Sequence, residues 1–260
     1  MSNTIDEVWP TQRTELNDAD LLGLYEPPTT PWLRMGFISS LDGAATRNRH
    51  SGGLGDASDQ RILHLLRRWA DVVLVGAGTA RTEGYGAMWL SAEAAHWREN
   101  LGLHPHPAFA LVTRHLDLDP TSPIFRSAPR PPLIYTVEDA PAEQRTKLEE
   151  VATVITAGPD SVEPAMVRAD LIQRGLKRIH CEGGPSLFGT FITAGLVDEL
   201  CLTVAPSLEG GDAPRISHHP ETTTPEYLEL AGILRSGSEL FLRYRKDASL
   251  KDKEVENRNA

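Results

Sequence analysis

The stretch that decides the fold is VLVGAGTARTEG, residues 73–84, in which an apolar run ends in two closely spaced glycines and a threonine. A short apolar run bounded by glycine predicts a buried strand that turns tightly into a helix. Such a turn can present backbone N–H groups and a positive helix end to a phosphate. The stretch therefore indicates a nucleotide-binding turn, although two glycines are also typical of a tight turn without a ligand.

The glycine spacing fits neither of the two common nucleotide-binding motifs. Arg81 stands where the dinucleotide fingerprint has its third glycine or alanine, and the segment about 20 residues beyond Gly78 reads HWREN, a helical pattern. A Rossmann unit would end a second strand in an acid there. The chain also has no G-x-x-x-x-G-K-[ST] motif. Neither a Rossmann unit nor a P-loop is predicted.

A second stretch, LKRIHCEGGPSLFG at residues 176–189, repeats the order of strand, glycine turn and helix. Its predicted helix runs from Pro185 to Ala194 and is followed by Gly195, the usual placement of proline and glycine at helix ends. A third apolar run, Trp32–Ser39, leads into the sequence S-L-D-G. Because the carboxyl ends of parallel strands meet at one edge of a sheet, these strand ends predict a ligand cleft there.

The rest of the chain alternates short apolar runs with helical patterns, which predicts an α/β fold with one mixed, mostly parallel sheet. A helix is expected from Arg61 to Trp69, with Ser58 and Asp59 as its capping residues. The segments YLELAGIL and ELFLRYR, separated by RSGS, predict an antiparallel C-terminal hairpin. The expected organisation is an N-terminal arm over 1–31, one domain over 32–246 and a polar tail over 247–260.

Composition narrows the function classes. The chain has 260 residues and a net charge of -10, which disfavours nucleic acid as a partner because such binders usually present a basic stripe. No apolar run approaches the roughly 20 residues of a membrane span, and the N-terminus lacks a secretory signal, so a cytoplasmic protein is expected. The two cysteines, Cys181 and Cys201, lie in predicted strands, and no metal site is expected.

Taken together, these motifs resemble the pyrimidine reductase domain of riboflavin biosynthesis, a family whose fold is similar to that of dihydrofolate reductase. The resemblance runs from about Trp32 to Lys246 and rests on ISSLDG, the GAGT turn and EGGPSLFG in that order. It implies a dihydrofolate reductase-like three-layer fold and a homodimer, for which LVDELCLTVAP and the C-terminal hairpin offer apolar strand surface. It also implies reduction of the ribosyl group of 5-amino-6-(5-phosphoribosylamino)uracil to a ribityl chain, with NADPH as cofactor.

The resemblance further implies which positions contact NADPH. The turn and helix after Glu182 match the pyrophosphate site, and Arg114 matches the position that meets the adenosine 2′-phosphate, a task suited to its forked donors. Gly53 departs from members that carry a large aromatic residue near the nicotinamide. The implied cofactor residues are Ile38, Gly53, Thr79, Glu83, Thr113, Arg114, Gly184, Pro185, Ser186, Leu187, Phe188, Gly189 and Thr190.

On the substrate side, the resemblance implies that Ser51 and Arg67 contact the sugar phosphate and that Ala87 makes a backbone contact. Arg67 also fits a plain surface arginine. A second arginine found in some members is missing from AMWLSAE, so a phosphate would need Arg47, Arg49 or His50 instead. Two acids, Asp42 and Glu182, are candidates for proton handling or for binding the ring, with Glu182 also a substrate contact. Asp42 fits equally well as a turn residue.

Two other functions remain open. One is a related NADPH reductase that acts on a pterin such as dihydrofolate. Its binding site would need less positive charge, because a pterin lacks the sugar phosphate. The other is an NADPH-binding module without turnover. The deaminase motifs H-x-E and P-C-x-x-C are absent from the chain, so deamination is not expected.

Overall fold

A computed structural model describes residues 4–220 and 224–246 of the chain. Within these residues, one sheet contains all the strands of the fold. The strands are β1 (Asp6–Trp9), β2 (Trp32–Ser40), β3 (Val72–Gly76), β4 (Ala108–Val112), β5 (Leu133–Thr136), β6 (Thr153–Thr156), β7 (Arg178–Cys181), β8 (Glu199–Ala205), β9 (Glu229–Ser236) and β10 (Glu239–Arg245).

Helices cover both faces of this sheet. A short 3-10 turn at Ser51–Gly53 precedes the helix Ala57–Trp69. The helices are α1 (Asp18–Leu24), α2 (Ala57–Trp69), α3 (Ala77–Thr82), α4 (Ala92–Asn100), α5 (Pro123–Arg126), α6 (Ala142–Glu149), α7 (Pro164–Gln173) and α8 (Pro185–Thr193).

The strand order is β1-β9-β10-β8-β2-β7-β3-β4-β5-β6. The seven strands from β8 to β6 in this order are parallel, whereas β10, β9 and β1 join antiparallel at one side. The predicted hairpin is β9 and β10, paired from Ser236 and Glu239 outward. The prediction of a mixed, mostly parallel sheet with an antiparallel C-terminal hairpin is confirmed.

The core lies in two layers because side chains of a strand alternate between the faces of the sheet. Val72 and Leu74 face the layer of α7 and α8. Val73 and Val75 face the opposite layer, which includes α3 and α6. On the antiparallel side, α1 and α2 pack against β8, β9 and β10. The sheet between two helical layers agrees with the three-layer architecture that was expected.

Helix α2 begins earlier than the sequence predicts. Its N-cap is Asp56, whose carboxylate accepts a hydrogen bond of 2.6 Å from the Ser58 backbone N–H. Ser58 is buried, and its hydroxyl lies 2.8 Å from that of Ser236. The expectation that Ser58 and Asp59 cap the helix is wrong, because Asp56 satisfies the free N–H group first. Asp59 therefore lies in the first turn of the helix.

The segment before Trp32 adds elements to the same fold. Strand β1 pairs with β9 at the edge of the sheet, and Tyr25 after α1 is buried in the core. Asn17 caps α1 and forms a reciprocal capping box with Asp20. Polar residues in this segment thus have structural partners, although the segment lacks a strong hydrophobic period. The predicted tail over 247–260 lies outside the described residues.

Candidate active site

A cavity of about 1000 Å³ lies at the carboxyl ends of the central parallel strands. Ile38 of β2, Gly76 of β3, Thr113 after β4 and Glu182 after β7 all line it. This is the edge at which the sequence predicts a cleft. Backbone N–H groups at strand ends and helix starts converge there, so the position suits an anionic or polar ligand.

The two glycine turns meet in this cavity. The backbone N–H of Gly76 donates a hydrogen bond of 2.7 Å to the carbonyl of Gly183. A Cβ atom on Gly184 would lie 2.3 Å from the Thr79 hydroxyl oxygen, so only glycine fits without a shift. Gly183 has φ of +99°, a backbone conformation that favours glycine. The turns after β3 and β7 therefore form one continuous wall.

Most of the predicted cofactor residues line the cavity. They are Ile38, Thr79, Glu83, Thr113, Arg114, Gly184, Pro185, Ser186, Leu187 and Thr190. Gly53, Phe188 and Gly189 do not line it. Phe188 is buried and stacks on Phe37 with ring centroids 4.6 Å apart. Gly189 faces the His218 carbonyl, which would lie 2.1 Å from a Cβ atom there. Phe188 and Gly189 therefore support the second turn from behind.

Arg114 lies at the far end of the same wall, after β4. Its side chain is exposed, and it lines the cavity together with Thr113 and the segment 161–164. The hydrogen bond at this residue uses its backbone carbonyl, which accepts from the Thr136 hydroxyl at 3.5 Å. The guanidinium is thus free of any hydrogen bond within the described part of the chain. This leaves its forked donors available to an anion.

Glu182 is the centre of a buried cluster on the cavity wall. The Arg67 Nε and Nη2 atoms donate to its two carboxylate oxygens at 2.6 and 2.7 Å. The Tyr85 hydroxyl donates to Oε2 at 2.7 Å. Burial opposes ionisation of Glu182, but the charge and hydrogen bonds of Arg67, with a smaller effect of the Tyr85 hydrogen bond, outweigh it and hold its pKa below the ordinary value. The carboxylate is therefore ionised at neutral pH.

This cluster changes the interpretation of Arg67. Both of its donating nitrogens point to Glu182, and Arg67 is not among the cavity-lining residues. The guanidinium also lies over the Tyr85 ring at 5.7 Å from its centroid. Arg67 thus acts on the site through Glu182. Tyr85 is not predicted by the sequence patterns; the aromatic residue directly after the GAGT helix, in EGYG, is the signal that could have indicated it.

His180 lies behind Glu182 and is fully enclosed. Its Nε2 atom is 3.4 Å from Glu182 Oε1, and its ring packs on Gly36, where a Cβ atom would lie 2.6 Å from Cε1. Burial lowers the pKa of His180 to about 4. The ring is therefore neutral at physiological pH, and the charge that balances Glu182 is that of Arg67.

Asp42 lies outside the cavity lining, so the structure does not bring it together with Glu182. Its carboxylate accepts from the Ser40 hydroxyl at 2.5 Å and from the backbone N–H of Gly210 at 2.7 Å. The Ser40 hydroxyl and the backbone N–H groups of Gly210 and Glu209 lower its pKa to about 2. Asp42 connects the loops after β2 and β8, as a turn residue would, and this placement does not support proton transfer to a ligand.

Some of the predicted substrate residues line the cavity and others do not. Ser51 and Glu83 line the cavity, and the Glu83 carboxylate accepts from the Ser51 backbone N–H at 2.8 Å. Ala87 does not line it, and its carbonyl accepts from the Trp89 backbone N–H. Arg49 lines the cavity close to Ser51 and is exposed. Arg49 thus places a positive charge at the cavity beside Ser51.

Other kinds of site are not found in the part of the chain that the structure describes. No group of three or more His, Cys, Asp or Glu side chains there is arranged to bind a metal ion. None of the helices described is both long and apolar enough to span a membrane. Cys181 and Cys201 are free and buried, and burial raises the pKa of each thiol to about 12.

Comparisons with known proteins find related sequences over most of the chain. A family model described as the RibD C-terminal domain matches residues 31–242. The 2,5-diamino-6-ribosylamino-4(3H)-pyrimidinone 5′-phosphate reductase of Archaeoglobus fulgidus is 29% identical over 188 residues, 72% of this chain and 85% of the relative. The riboflavin biosynthesis protein RibD of Escherichia coli is 26% identical over 191 residues, 70% of this chain but 50% of that protein.

Solved structures give the same fold. A pyrimidine reductase-like protein from Corynebacterium diphtheriae superposes with a TM-score of 0.76 at 32% identity, covering 83% of this chain and 91% of that one. Rib7, the riboflavin biosynthesis reductase of Saccharomyces cerevisiae, has a TM-score of 0.64 at 16% identity, covering 89% and 100%. The dihydrofolate reductase-like fold expected from the motifs is confirmed.

Proposed function

Because the chain belongs to the RibD C-terminal domain family, we propose that it reduces the ribosyl group of a phosphorylated 6-ribosylaminopyrimidine in riboflavin biosynthesis. The observation that carries the proposal is the single cavity that joins both glycine turns to the Glu182 cluster. The family resemblance implies the uracil form of the substrate, whereas relatives of similar length are named for the 2,5-diaminopyrimidinone form. These two forms differ in the group at ring position 2.

We propose NADPH as the reductant, and the residues present fit it. Gly184 lets the backbone of the second turn lie against Thr79, where a Cβ atom would clash with the hydroxyl at 2.3 Å. Helix α8 has Gly184 as its N-cap without a side-chain cap, so its first N–H groups remain available to a diphosphate. The free guanidinium of Arg114 suits the 2′-phosphate that distinguishes NADPH from NADH. When bound, the nicotinamide would supply the hydride that converts the ribosyl group into a ribityl chain.

For the substrate phosphate, we propose Ser51 and Arg49 as the contacts. Both line the cavity, and Glu83 fixes the Ser51 backbone by accepting its N–H. Arg67 has a positioning role, because its two donors hold the carboxylate of Glu182. Ala87 and Gly53 would lie at the rim of the site. Asp42 has no part in this arrangement.

Glu182 would act as an anion rather than as a proton donor. The reduction adds a hydride and a proton to the substrate, and positive charge on a substrate nitrogen would favour hydride addition to the neighbouring carbon. A carboxylate held ionised by Arg67 and Tyr85 can stabilise such a charge. In this proposal the proton comes from solvent that enters through the open mouth of the cavity.

A second candidate function is the reduction of a pterin such as dihydrofolate. It is favoured by two observations. The first is that part of the cavity has apolar walls, lined by Ile62, Leu66 and Phe241 among others. A flat bicyclic ring would fill such a compartment. The second is that Arg67 is not free to bind a sugar phosphate. A module that binds NADPH without turnover is the third possibility, and the charged cluster beside the cavity disfavours it.

We also propose a homodimer in the cytoplasm. Strand β8 lies inside the sheet, between β10 and β2, so its edge is not available for pairing with a second copy. An interface would instead use exposed apolar side chains such as Leu208 and Tyr227. Light scattering on the purified protein gives the oligomeric state; a mass of one chain at all concentrations would contradict the dimer.

The proposed function is tested by following the loss of NADPH absorbance with three compounds: the 2,5-diaminopyrimidinone ribosyl phosphate, its uracil counterpart and dihydrofolate. We expect turnover with at least one ribosylaminopyrimidine phosphate and isolation of the ribityl product. Turnover of dihydrofolate alone would support the second candidate. NADPH binding without turnover of any of the three would contradict the proposed activity and favour the binding module.

A further inference from the structure

The part of the cavity beyond Glu182 differs in character from the glycine-turn wall. It lies between α2 and the strands β8 and β10, and most of its walls are apolar. The apolar lining residues here are Tyr25, Ile62, Leu63, Leu66, Phe241 and Leu242, and the polar ones are Asp59, Gln60 and Thr203. Apolar walls bind flat rings well and phosphates poorly, so this compartment suits the heterocycle of a ligand.

One acid, Asp59, lies in this apolar compartment. It is in the first turn of α2 and lines the cavity together with Thr203 of β8, whose side chain lies close enough to lower the pKa of the carboxyl. Thr203 pairs with Ile38 across the β2–β8 register. Ile38 is the position that the family resemblance assigns to the nicotinamide end of the cofactor. Asp59 is therefore close to the place where a ring would be presented for reduction.

Asp59 differs from Glu182 in its electrostatic surroundings. Its burial and the negative charge of Asp56 raise its pKa, and the Thr203 hydrogen bond opposes them only in part. Among residues 4–220 and 224–246, the charged side chain that shifts the pKa of Asp59 is another acid, Asp56. Glu182, in contrast, is paired with Arg67. A second acid, Glu239, is buried nearby, and its pKa is raised to about 8 by its burial and by Asp56 and Asp59. A carboxyl group so placed gains most from donors that a ligand brings.

Ring chemistry decides which ligand can supply those donors. A 2-amino-4-pyrimidinone presents the 2-amino group and N3–H side by side, which gives two donors to the two oxygens of one carboxylate. A uracil presents N3–H next to the C2 carbonyl, which would place an acceptor against the carboxylate. An unpaired buried acceptor is costly, so one carboxylate can separate the two rings strongly.

We propose that Asp59, oriented by Thr203, is a specificity-determining residue that binds the 2-amino and N3–H edge of a 2-amino-4-pyrimidinone ring. The inference rests on the proposed function and names its substrate: the form that still carries the amine at ring position 2. Hydrolytic removal of that amine is then a reaction that follows this one. The same edge is present in a pterin, so the shared chemistry is the 2-amino-4-oxopyrimidine edge.

A binding experiment tests the role of Asp59 without turnover. Calorimetry with the NADPH-loaded protein compares 2,5,6-triaminopyrimidin-4-one with 5,6-diaminouracil, which differ at ring position 2. We expect the wild type to bind the triamino ring about 10- to 100-fold more tightly, the range of one bidentate recognition contact. Asp59→Asn should remove or invert this preference, because an amide offers one donor and one acceptor and so matches the uracil edge.

Two further variants keep the test independent of folding. Thr203→Val removes the hydroxyl that orients Asp59 and should reduce the preference for the triamino ring by several-fold. Asp139→Asn makes the same chemical change at an exposed residue outside the cavity and should bind both rings like the wild type. Circular dichroism confirms that each variant is folded. Equal binding of the two rings by the wild type, no binding of either ring, or an unchanged preference in Asp59→Asn would overturn the proposal.

Turnover assays test the role of Asp59 separately from the proposed function. If the wild type reduces both ribosylaminopyrimidine phosphates with equal kcat/KM, the proposed function stands and the role of Asp59 is overturned. If it binds the triamino ring with the expected preference but reduces neither phosphate, the role of Asp59 stands and the proposed function falls. Dihydrofolate turnover that is lost in Asp59→Asn would also support recognition of the shared edge, with a pterin as its source.

Discussion

The two ends of the cavity each contain an acid, and the two acids differ in how their charge is balanced. At the glycine-turn end, Glu182 receives hydrogen bonds from Arg67 and Tyr85, and its pKa is lowered despite burial. At the α2–β8 end, Asp59 has Thr203 beside it, and burial raises its pKa. The protein itself supplies the partner charge of the first acid, whereas the charge that acts on the second is that of another acid, Asp56.

The partner of Glu182 also affects the free energy of the folded protein. A buried carboxylate is stable in the ionised form only with a partner charge and several hydrogen bonds. Glu182 has both, with its side chain 3% exposed and that of Arg67 18% exposed. Its pair is therefore part of the folded structure before any ligand binds. Asp59 is the acid whose hydrogen bonds can change when a ligand enters.

The largest expected effect comes from breaking the first pair. Arg67→Met leaves Glu182 buried without its partner, and we expect the free energy of unfolding to fall by about 3–5 kcal/mol. Urea denaturation measures this change. The double variant Arg67→Met/Glu182→Gln should recover part of the loss, since the uncompensated charge is gone.

Arg68→Met is the matched control on the same helix. Arg68 pairs with Asp18 and Glu93, whose side chains are 39% and 78% exposed, so the acids stay hydrated when it is removed. We expect a loss within about 1 kcal/mol. Equal losses for Arg67→Met and Arg68→Met would contradict the difference between a buried and a hydrated pair.

A smaller effect is expected from changing the glycine-turn wall itself. Gly184→Ala places a methyl group 2.3 Å from the Thr79 hydroxyl and forces the two turns apart. We expect NADPH affinity to fall about 10- to 100-fold, or about 1.4–2.8 kcal/mol. Gly23→Ala has nothing within 4 Å of the added atom and serves as the control. Unchanged NADPH affinity in Gly184→Ala, measured by fluorescence titration, would count against this wall as the cofactor site.

Removal of the Tyr85 hydroxyl should change how the stability of the protein depends on pH. Tyr85→Phe deletes the hydrogen bond to Glu182, and we expect a loss of about 1.5 kcal/mol, the low end for bonds to charged groups. Because the pKa of Glu182 in the folded protein is depressed, its stabilising contribution is present at neutral pH and is lost as pH falls through that pKa. The variant raises this pKa, so stability should begin to fall at a higher pH than in the wild type. An acid unfolding curve that does not shift would show that Tyr85 has no effect on Glu182.

The smallest expected effect concerns Arg114, at the outer end of the glycine-turn wall. Arg114→Met should weaken NADPH binding by about 1 kcal/mol, since the side chain is exposed and its bond to a phosphate is partly screened. NADH lacks the 2′-phosphate, so its affinity should be unchanged. An equal loss for both dinucleotides would contradict the assignment of Arg114 to that phosphate.

How far the sequence predicts this molecule depends on the kind of contact. The strands and glycine turns are predicted because apolar runs and glycines act locally; β3, for example, ends at Gly76, where the pattern places its turn. The commitment of Arg67 to Glu182 is not predicted, because the two residues are 115 positions apart and only the tertiary fold brings them together. The same holds for Tyr85.

Asp42 and Glu182 show where prediction from the sequence fails. Asp42 and Glu182 each follow a strand, and the sequence assigns both to the reaction site. The structure places Asp42 under the backbone N–H groups of the loop after β8 and Glu182 on the cavity wall. Asp59, expected as a helix cap, lines the cavity instead because Asp56 takes the cap. Which acid faces a ligand is decided by neighbouring loops, whose positions no local pattern encodes.

The central claim, that both glycine turns bind one dinucleotide, is tested most directly by a crystal structure of the protein grown with NADPH. We predict that the diphosphate contacts the backbone at 76–79 and at 184–190, with the 2′-phosphate at Arg114 and the nicotinamide beside Ile38. A dinucleotide that contacts only one of the two turns, or that binds outside this cavity, would contradict the account.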